Sequence, residues 1–130
     1  MSDPTPRELT GHKVNPANDR LKVEAIDGLG SGGASHVYRI SNFDLRGLML
    51  GQPYVMFSFQ NGPIGEAGVN GITEAALIVI LIDRMECFQA GPYANESNEV
   101  ALQSLRTARD ALHARTRERM ARNIEGTSSQ

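Results

Sequence analysis

Eight successive residues without a polar side chain, AALIVILI at 75–82, constrain this chain more than any other feature. They sit in a stretch that has the marks of a helix at both ends. Thr73 is placed as an N-cap, Glu74 follows where negative charge favours the helix dipole, and Gly91 and Pro92 stop the helix. Ile72 and Leu77 occupy the positions of a hydrophobic staple. Upstream, Asn61-Gly62-Pro63 ends a strand, and Gly65, Gly68 and Gly71 permit a tight backbone path into the helix. A surface helix ordinarily carries one apolar stripe. A helix apolar on every side needs partners on more than one side, and 130 residues offer few elements to supply them. Part of this surface is therefore expected to meet another copy of the chain. The run is too short to span a membrane.

The rest of the chain arranges itself around that helix. Residues 1–19, with Pro4, Pro6 and Pro16 and little apolar content, are expected to be a mobile arm. Residues 20–26 alternate apolar Leu21, Val23 and Ala25 with Lys22 and Glu24, the period of a strand. A glycine-rich turn at 27–34 leads into a returning strand at 35–40. Residues 44–53 form a loop or short strand. Residues 54–60 form a further strand, with Val55, Phe57 and Phe59 on one face. After the helix, Asn95 and its neighbours offer caps for a second helix over about 97–124. Two helices joined by a short Gly-Pro turn make an antiparallel hairpin. The fold class is α+β: a small antiparallel sheet of three or four strands at about 20–60, a linker at 61–71, and a long helical hairpin at about 72–124. Residues 20–130 then form one domain, as the length favours.

Gly28, Gly30 and Gly33 match G-x-G-x-x-G, but a strand follows them rather than the helix a dinucleotide site requires. They are expected to shape a hairpin turn. Residues 1–10 lack the apolar core of a signal peptide. A single cysteine, Cys87, excludes a disulfide framework within the chain, fits a reducing compartment, and is expected to serve packing. The net charge of −2 conceals a split. Residues 1–105 hold seven basic and twelve acidic side chains, whereas 106–130 hold six arginines and three acids. That basic end points to an anionic partner.

Along the second helix Ala101, Leu105, Ala108 and Leu112 recur at steps of four, three and four. The same steps continue to Arg115 and Arg119, while Arg106, His113 and Arg117 fall on the opposite side. Either the helix end is solvated, or copies of the chain converge these arginines into a cationic well whose guanidinium forks fit phosphates. Phe88, on the stripe of Leu77, Leu81 and Met85, is either a core aromatic or a ring on which a base stacks. Asn98 is either a cap-region amide or a hydrogen-bonding partner for a base or ribose. No catalytic spacing joins His12, His36, His113, Cys87 and the carboxylates. No metal-ligand motif, Walker loop or nucleophile elbow is present in the sequence. Binding is favoured over catalysis, with no cofactor and no metal.

The run NGPIGEAGVNGIT, the helix after it, FQAGPY, and the final ARTRERMARNIEGT resemble the helical hairpin shared by phage anti-Thoeris and anti-CBASS sponge proteins. The upstream NPANDRLKVEAIDGLGSGGASHVYRISNFD and YVMFSFQ are similar to the β-rich half of the anti-Thoeris branch. The resemblance implies a phage protein acting in the host bacterial cytoplasm that sequesters cyclic nucleotide immune messengers without cleaving them. It implies that Phe88 and Asn98 hold cyclic ADP-ribose isomers at the hairpin tip. It also implies that Arg115 and Arg119 hold cyclic trinucleotides or dinucleotides at a second pocket, within a homohexamer built as a trimer of dimers. The alternative is a nucleic-acid-binding or small structural phage protein that uses the arginine-rich helix. A pI near 5.9 argues against nucleic acid as a partner.

Overall fold

The computed structural model describes residues 6–15 and 20–122. Four strands come first: β1 (Arg7–Leu9), β2 (Leu21–Ala25), β3 (Val37–Asn42) and β4 (Val55–Ser58). Three helices follow: α1 (Ile64–Ala67), α2 (Glu74–Gln89) and α3 (Glu96–Ala121). The chain divides into two compact units. One runs to Gly62 and adds Val69–Gly71; the other holds Pro63–Gly68 and everything from Ile72 onward.

The first unit is an antiparallel sheet in the order β1-β2-β3-β4, so each strand pairs with its neighbour in sequence. The register sets Val23 opposite Ile40 and Ile40 opposite Val55, with Ala25, Tyr38 and Phe57 in the next row. Alternation puts these residues on one face. There Tyr38 stacks on Phe57 at 5.9 Å between centroids, and Phe59 meets both rings edge-on at 5.5 and 5.3 Å. Ala25 is buried beneath them. The opposite face buries a charge: Glu24 is 5% exposed and accepts from Arg39 Nε and a terminal guanidinium nitrogen at 3.2 and 2.8 Å.

The glycine-rich segment is a turn between β2 and β3, as its position between strands required. It contains a 3-10 turn at Ser31–Gly33, where Gly32 and Gly33 take φ values of 74° and 80° that side chains other than glycine's resist. Asp27 fastens it: its carboxylate accepts from the backbone N–H of His36 at 2.9 Å and of Val37 at 3.0 Å. At the same end of the sheet Asn70 holds residue 61 from both sides. Its Oδ1 accepts from Asn61 N–H at 2.8 Å, and its Nδ2 donates to the Asn61 carbonyl at 2.7 Å. Gly71 beside it lies so close to the Phe59 backbone that any Cβ would overlap it.

Several expectations change. Arg7–Leu9, expected within a mobile arm, pairs with β2 because Leu9 and Arg7 align opposite Val23 and Ala25. The proposed linker contains the single turn α1, begun after Pro63, a residue suited to a helix start. The segment at 44–53 is a loop carrying one isolated bridge, Phe43 to Met49. It is shaped by Asp44, which accepts from the N–H groups of Arg46 and Leu48. The expected end of the second helix at 124 lies outside the described residues.

In the second unit Thr73 caps α2 as expected, its Oγ1 accepting from Ala76 N–H at 3.2 Å. Asn95 caps α3, its Oδ1 accepting from Asn98 N–H at 2.8 Å. Ile82 and Leu102 are the buried side chains of this hairpin, and Arg106 reaches Glu86 across it at 2.9 Å. The apolar girdle of α2 is left largely uncovered: Val79, Ile80 and Leu81 are each close to half exposed. Among the described residues, the buried apolar core is Ala25, Ile82 and Leu102. No helix in the described residues is long and apolar enough to cross a membrane.

Candidate ligand-binding sites on the helical hairpin

The turn between α2 and α3 is short, and a network centred on Gln89 holds it. The Gln89 Oε1 accepts from Asn95 N–H at 3.0 Å. Its Nε2 donates to the Asn95 carbonyl and to Glu99 Oε2, each at 3.1 Å. Glu99 in turn accepts from Gln103 at 2.9 Å. Hydrogen bonds from Gln103 and then Gln89 hold the Glu99 carboxyl below its usual pKa, against a smaller opposing effect of desolvation. Asn95 also donates through Nδ2 to the Tyr93 carbonyl at 3.0 Å. Both chain directions at the tip are thereby tied to one amide side chain.

Phe88 and Asn98 flank this network. Phe88 precedes Gln89, and Asn98 precedes Glu99, so the 3.1 Å Gln89–Glu99 bond joins their immediate neighbours. Phe88 is 38% exposed. Within this chain the ring does not fill a core, and Arg84 lies over it with its guanidinium carbon 5.4 Å from the centroid. Asn98 is half-buried, and its backbone N–H belongs to the cap. Its side-chain amide makes no hydrogen bond among the described residues. Tyr93 adds a second ring, 77% exposed, on the turn itself. A ring with accessible surface, an uncommitted amide and a rigid turn can bind a base through stacking and an edge contact.

The arginine pair occupies less uniform ground. The half-buried positions of α3 include Leu105, Arg109, Leu112, Thr116 and Arg119, on either side of buried Leu102 and half-buried Asn98. Of the expected seam Ala101, Leu105, Leu112 and Arg119 are half-buried, with Arg109 and Thr116 half-buried where Ala108 and Arg115 were expected. Ala108 and Arg115 are exposed, while Arg119 is half-buried. Arg106, expected on the far side, faces α2 through its ion pair with Glu86, and His113 is half-buried. Arg115 and Arg119 have no carboxylate partner among the described residues, whereas Arg109 and Arg122 pair with Asp110 and Glu118. The uncommitted pair is therefore available to an anion, from one side of the helix.

Cys87, expected to serve packing, is exposed on α2. Among the described residues no group of three or more His, Cys, Asp or Glu side chains could hold a metal. Sequence reasoning passed over Arg84, Gln89 and Tyr93. Arg84 was accessible to it, since positions four apart on a helix meet. Gln89 was not, because nothing in an amide's identity says which backbone groups it will bond.

Two comparisons bear on these sites. Residues 52–117, just over half of the 130, match the family described as Acb2/Tad1, hairpin domain. Over 70 residues the chain is 39% identical to the protein Thoeris anti-defense 1 of Bacillus phage SBSphiJ7. That stretch covers 54% of this chain and 49% of the relative, so it spans about half the relative's length. The matched region contains the whole of α2, the Gln89-centred turn, Phe88, Asn98 and Arg115, and the chain belongs to the Acb2/Tad1 hairpin-domain family.

Proposed function

We propose that this protein is a phage anti-defence sponge, acting in the host bacterial cytoplasm, that binds cyclic nucleotide immune messengers and holds them without cleavage. The observation that carries the reading is the exposed Phe88 ring and the unbonded Asn98 amide, next to the hydrogen-bonded Gln89 and Glu99 at the tip of a hairpin belonging to this family. The name of the relative, Thoeris anti-defense 1, supports Thoeris as the defence countered. Cyclic ADP-ribose isomers bind at the tip: the base stacks on Phe88, and the Asn98 amide supplies a donor and an acceptor to base or ribose. Arg115 and Arg119 form the second pocket, for cyclic trinucleotides or dinucleotides, where copies of the chain meet.

The protein acts as a homo-oligomer, a hexamer in this reading. The support is the uncovered girdle of α2: Val79, Ile80 and Leu81 gain about 25 cal/mol for each Å² of apolar area removed from water. Light scattering tests it, and a monomer at micromolar concentration would remove the multi-chain pocket.

The test of function is a calorimetric titration with cyclic ADP-ribose isomers, cyclic trinucleotides, and duplex and single-stranded DNA. The released ligand is then analysed after the protein is denatured. Tight binding with the ligand recovered intact is the expected result, and Phe88→Ala should abolish binding of the ADP-ribose class while changing stability little. Turnover of the ligand, or affinity for DNA alone, would overturn the reading.

A further inference from the structure

Arg84 stands one helical turn before Phe88, and it carries the one full positive charge the structure places against that ring. At 5.4 Å from the centroid, its guanidinium carbon is within the roughly 6 Å range of a cation–π contact. Arg84 is exposed and forms no ion pair or hydrogen bond among the described residues. The acidic side chains nearest in sequence are unavailable to it. Asp83 is adjacent and Glu86 two positions on, spacings that do not face each other on a helix, and Glu86 is already held by Arg106 at 2.9 Å. Arg39, Arg46, Arg106, Arg109 and Arg122 have carboxylate partners, whereas Arg84 is set against a ring instead.

We propose that Arg84 is the anion-recognition residue of the hairpin-tip site, binding the phosphates of a ligand whose base stacks on Phe88. This rests on the reading of the tip as a nucleotide site and adds what that site selects: a base joined to a phosphate or pyrophosphate, in preference to a free nucleoside. The guanidinium lies against the ring, so a base stacked on Phe88 would bring its phosphates to the same end of α2 as this charge. A guanidinium fork matches two phosphate oxygens in spacing and charge. A flexible, uncommitted side chain reaches them without first breaking an ion pair. Because Arg84 is exposed, removing it has little effect on the fold.

The experiment is a titration of wild type, Arg84→Lys, Arg84→Gln and Phe88→Ala with cyclic ADP-ribose isomers, repeated between about 0.05 and 0.3 M salt to vary screening. Loss of a hydrogen-bonded charge contact predicts binding weaker by on the order of ten- to a hundredfold in Arg84→Gln. It also predicts a flatter dependence on salt. Arg84→Lys keeps the charge, so it should retain the wild-type salt dependence at intermediate affinity. A residue that merely braced the ring would leave the salt dependence unchanged in every variant. If Phe88→Ala loses binding while Arg84→Gln keeps the wild-type affinity and salt dependence, the role of Arg84 is overturned and the site stands. If Phe88→Ala binds like wild type, the nucleotide reading of the tip falls, and this proposal with it.

Discussion

Replacing Gln89 by alanine should loosen the hairpin tip without unfolding the hairpin. The side chain makes three hydrogen bonds, two to the backbone of Asn95 at 3.0 and 3.1 Å and one to Glu99 at 3.1 Å. Asn95 is exposed, so water can replace part of what is lost. The two backbone bonds together are then worth about 1–2 kcal/mol, near the lower half of the usual range for each. Two local signatures separate this from a general loss of stability. Amide hydrogen exchange at Asn95 should accelerate, because its N–H loses the Oε1 acceptor. The Glu99 carboxyl, held low first by Gln103 and then by Gln89, should titrate closer to its ordinary value. The sign follows from linkage: a carboxyl with a lowered folded pKa contributes stability above its unfolded pKa and loses it as pH falls through the folded one. In Gln89→Ala that contribution shrinks, so the variant should lose less stability on acidification than wild type. Affinity for the tip ligand should also fall, since the spacing of Phe88 and Asn98 depends on the turn. Exchange at Asn95 and titration of Glu99 both like wild type would refute the account of the tip as organised by Gln89.

Three further outcomes are expected. Arg39→Met should destabilise the sheet unit by about 3–5 kcal/mol in urea titrations, because Glu24 would remain buried without its partner; the double variant Glu24→Met, Arg39→Met should recover most of that loss. Burial pushes the Asp27 carboxyl up, but the N–H groups of Val37 and His36 outweigh it and set its pKa below the usual value. Its stabilisation is thus complete above the ordinary aspartate range and lost as pH falls through the folded pKa, and Asp27→Asn should flatten that acid limb. Arg115→Ala should leave stability within about 0.5 kcal/mol of wild type, as for other exposed substitutions, while it and Arg119→Ala abolish cyclic trinucleotide binding in calorimetry.

How much of this was legible before the coordinates depended on whether a residue's role was set by its neighbours in the chain. Thr73, Asn95 and the glycine turn act within a few residues of themselves, and their roles could be read directly. The alternation of Leu21, Val23 and Ala25 fixed β2 for the same reason. β1 escaped because three residues carry too little period to see, and its existence depends on pairing with a strand sixteen residues on. Phe88 and Asn98 were singled out as a ring and an amide near the turn and by the family resemblance, and the structure places them one on each helix of the hairpin. On α3 the apolar steps gave most of the inward side, since Ala101, Leu105 and Leu112 are half-buried, but not Arg106, whose inward setting depends on Glu86 twenty residues away.

The burial along α3 bears on the proposed arginine pocket. Arg115 and Arg119 are four residues apart, so they lie within about 40° of each other round the helix, yet one is exposed and the other half-buried against the hairpin. Their different settings give them different freedom. Arg119 is partly ordered by its own chain before any ligand arrives, and its entropic cost on binding is accordingly smaller. Arg115 is free to turn toward another copy or toward solvent. Arg115 and Arg119 thus share one side of the last turns of α3 with neither paired to a carboxylate among the described residues, while exposed Arg117 lies on the opposite side. Such a cluster repels itself and favours whatever supplies negative charge. A ligand with several phosphates relieves that repulsion at each arginine it contacts, so affinity there should fall steeply with salt, and more steeply than at a tip that presents Arg84 alone.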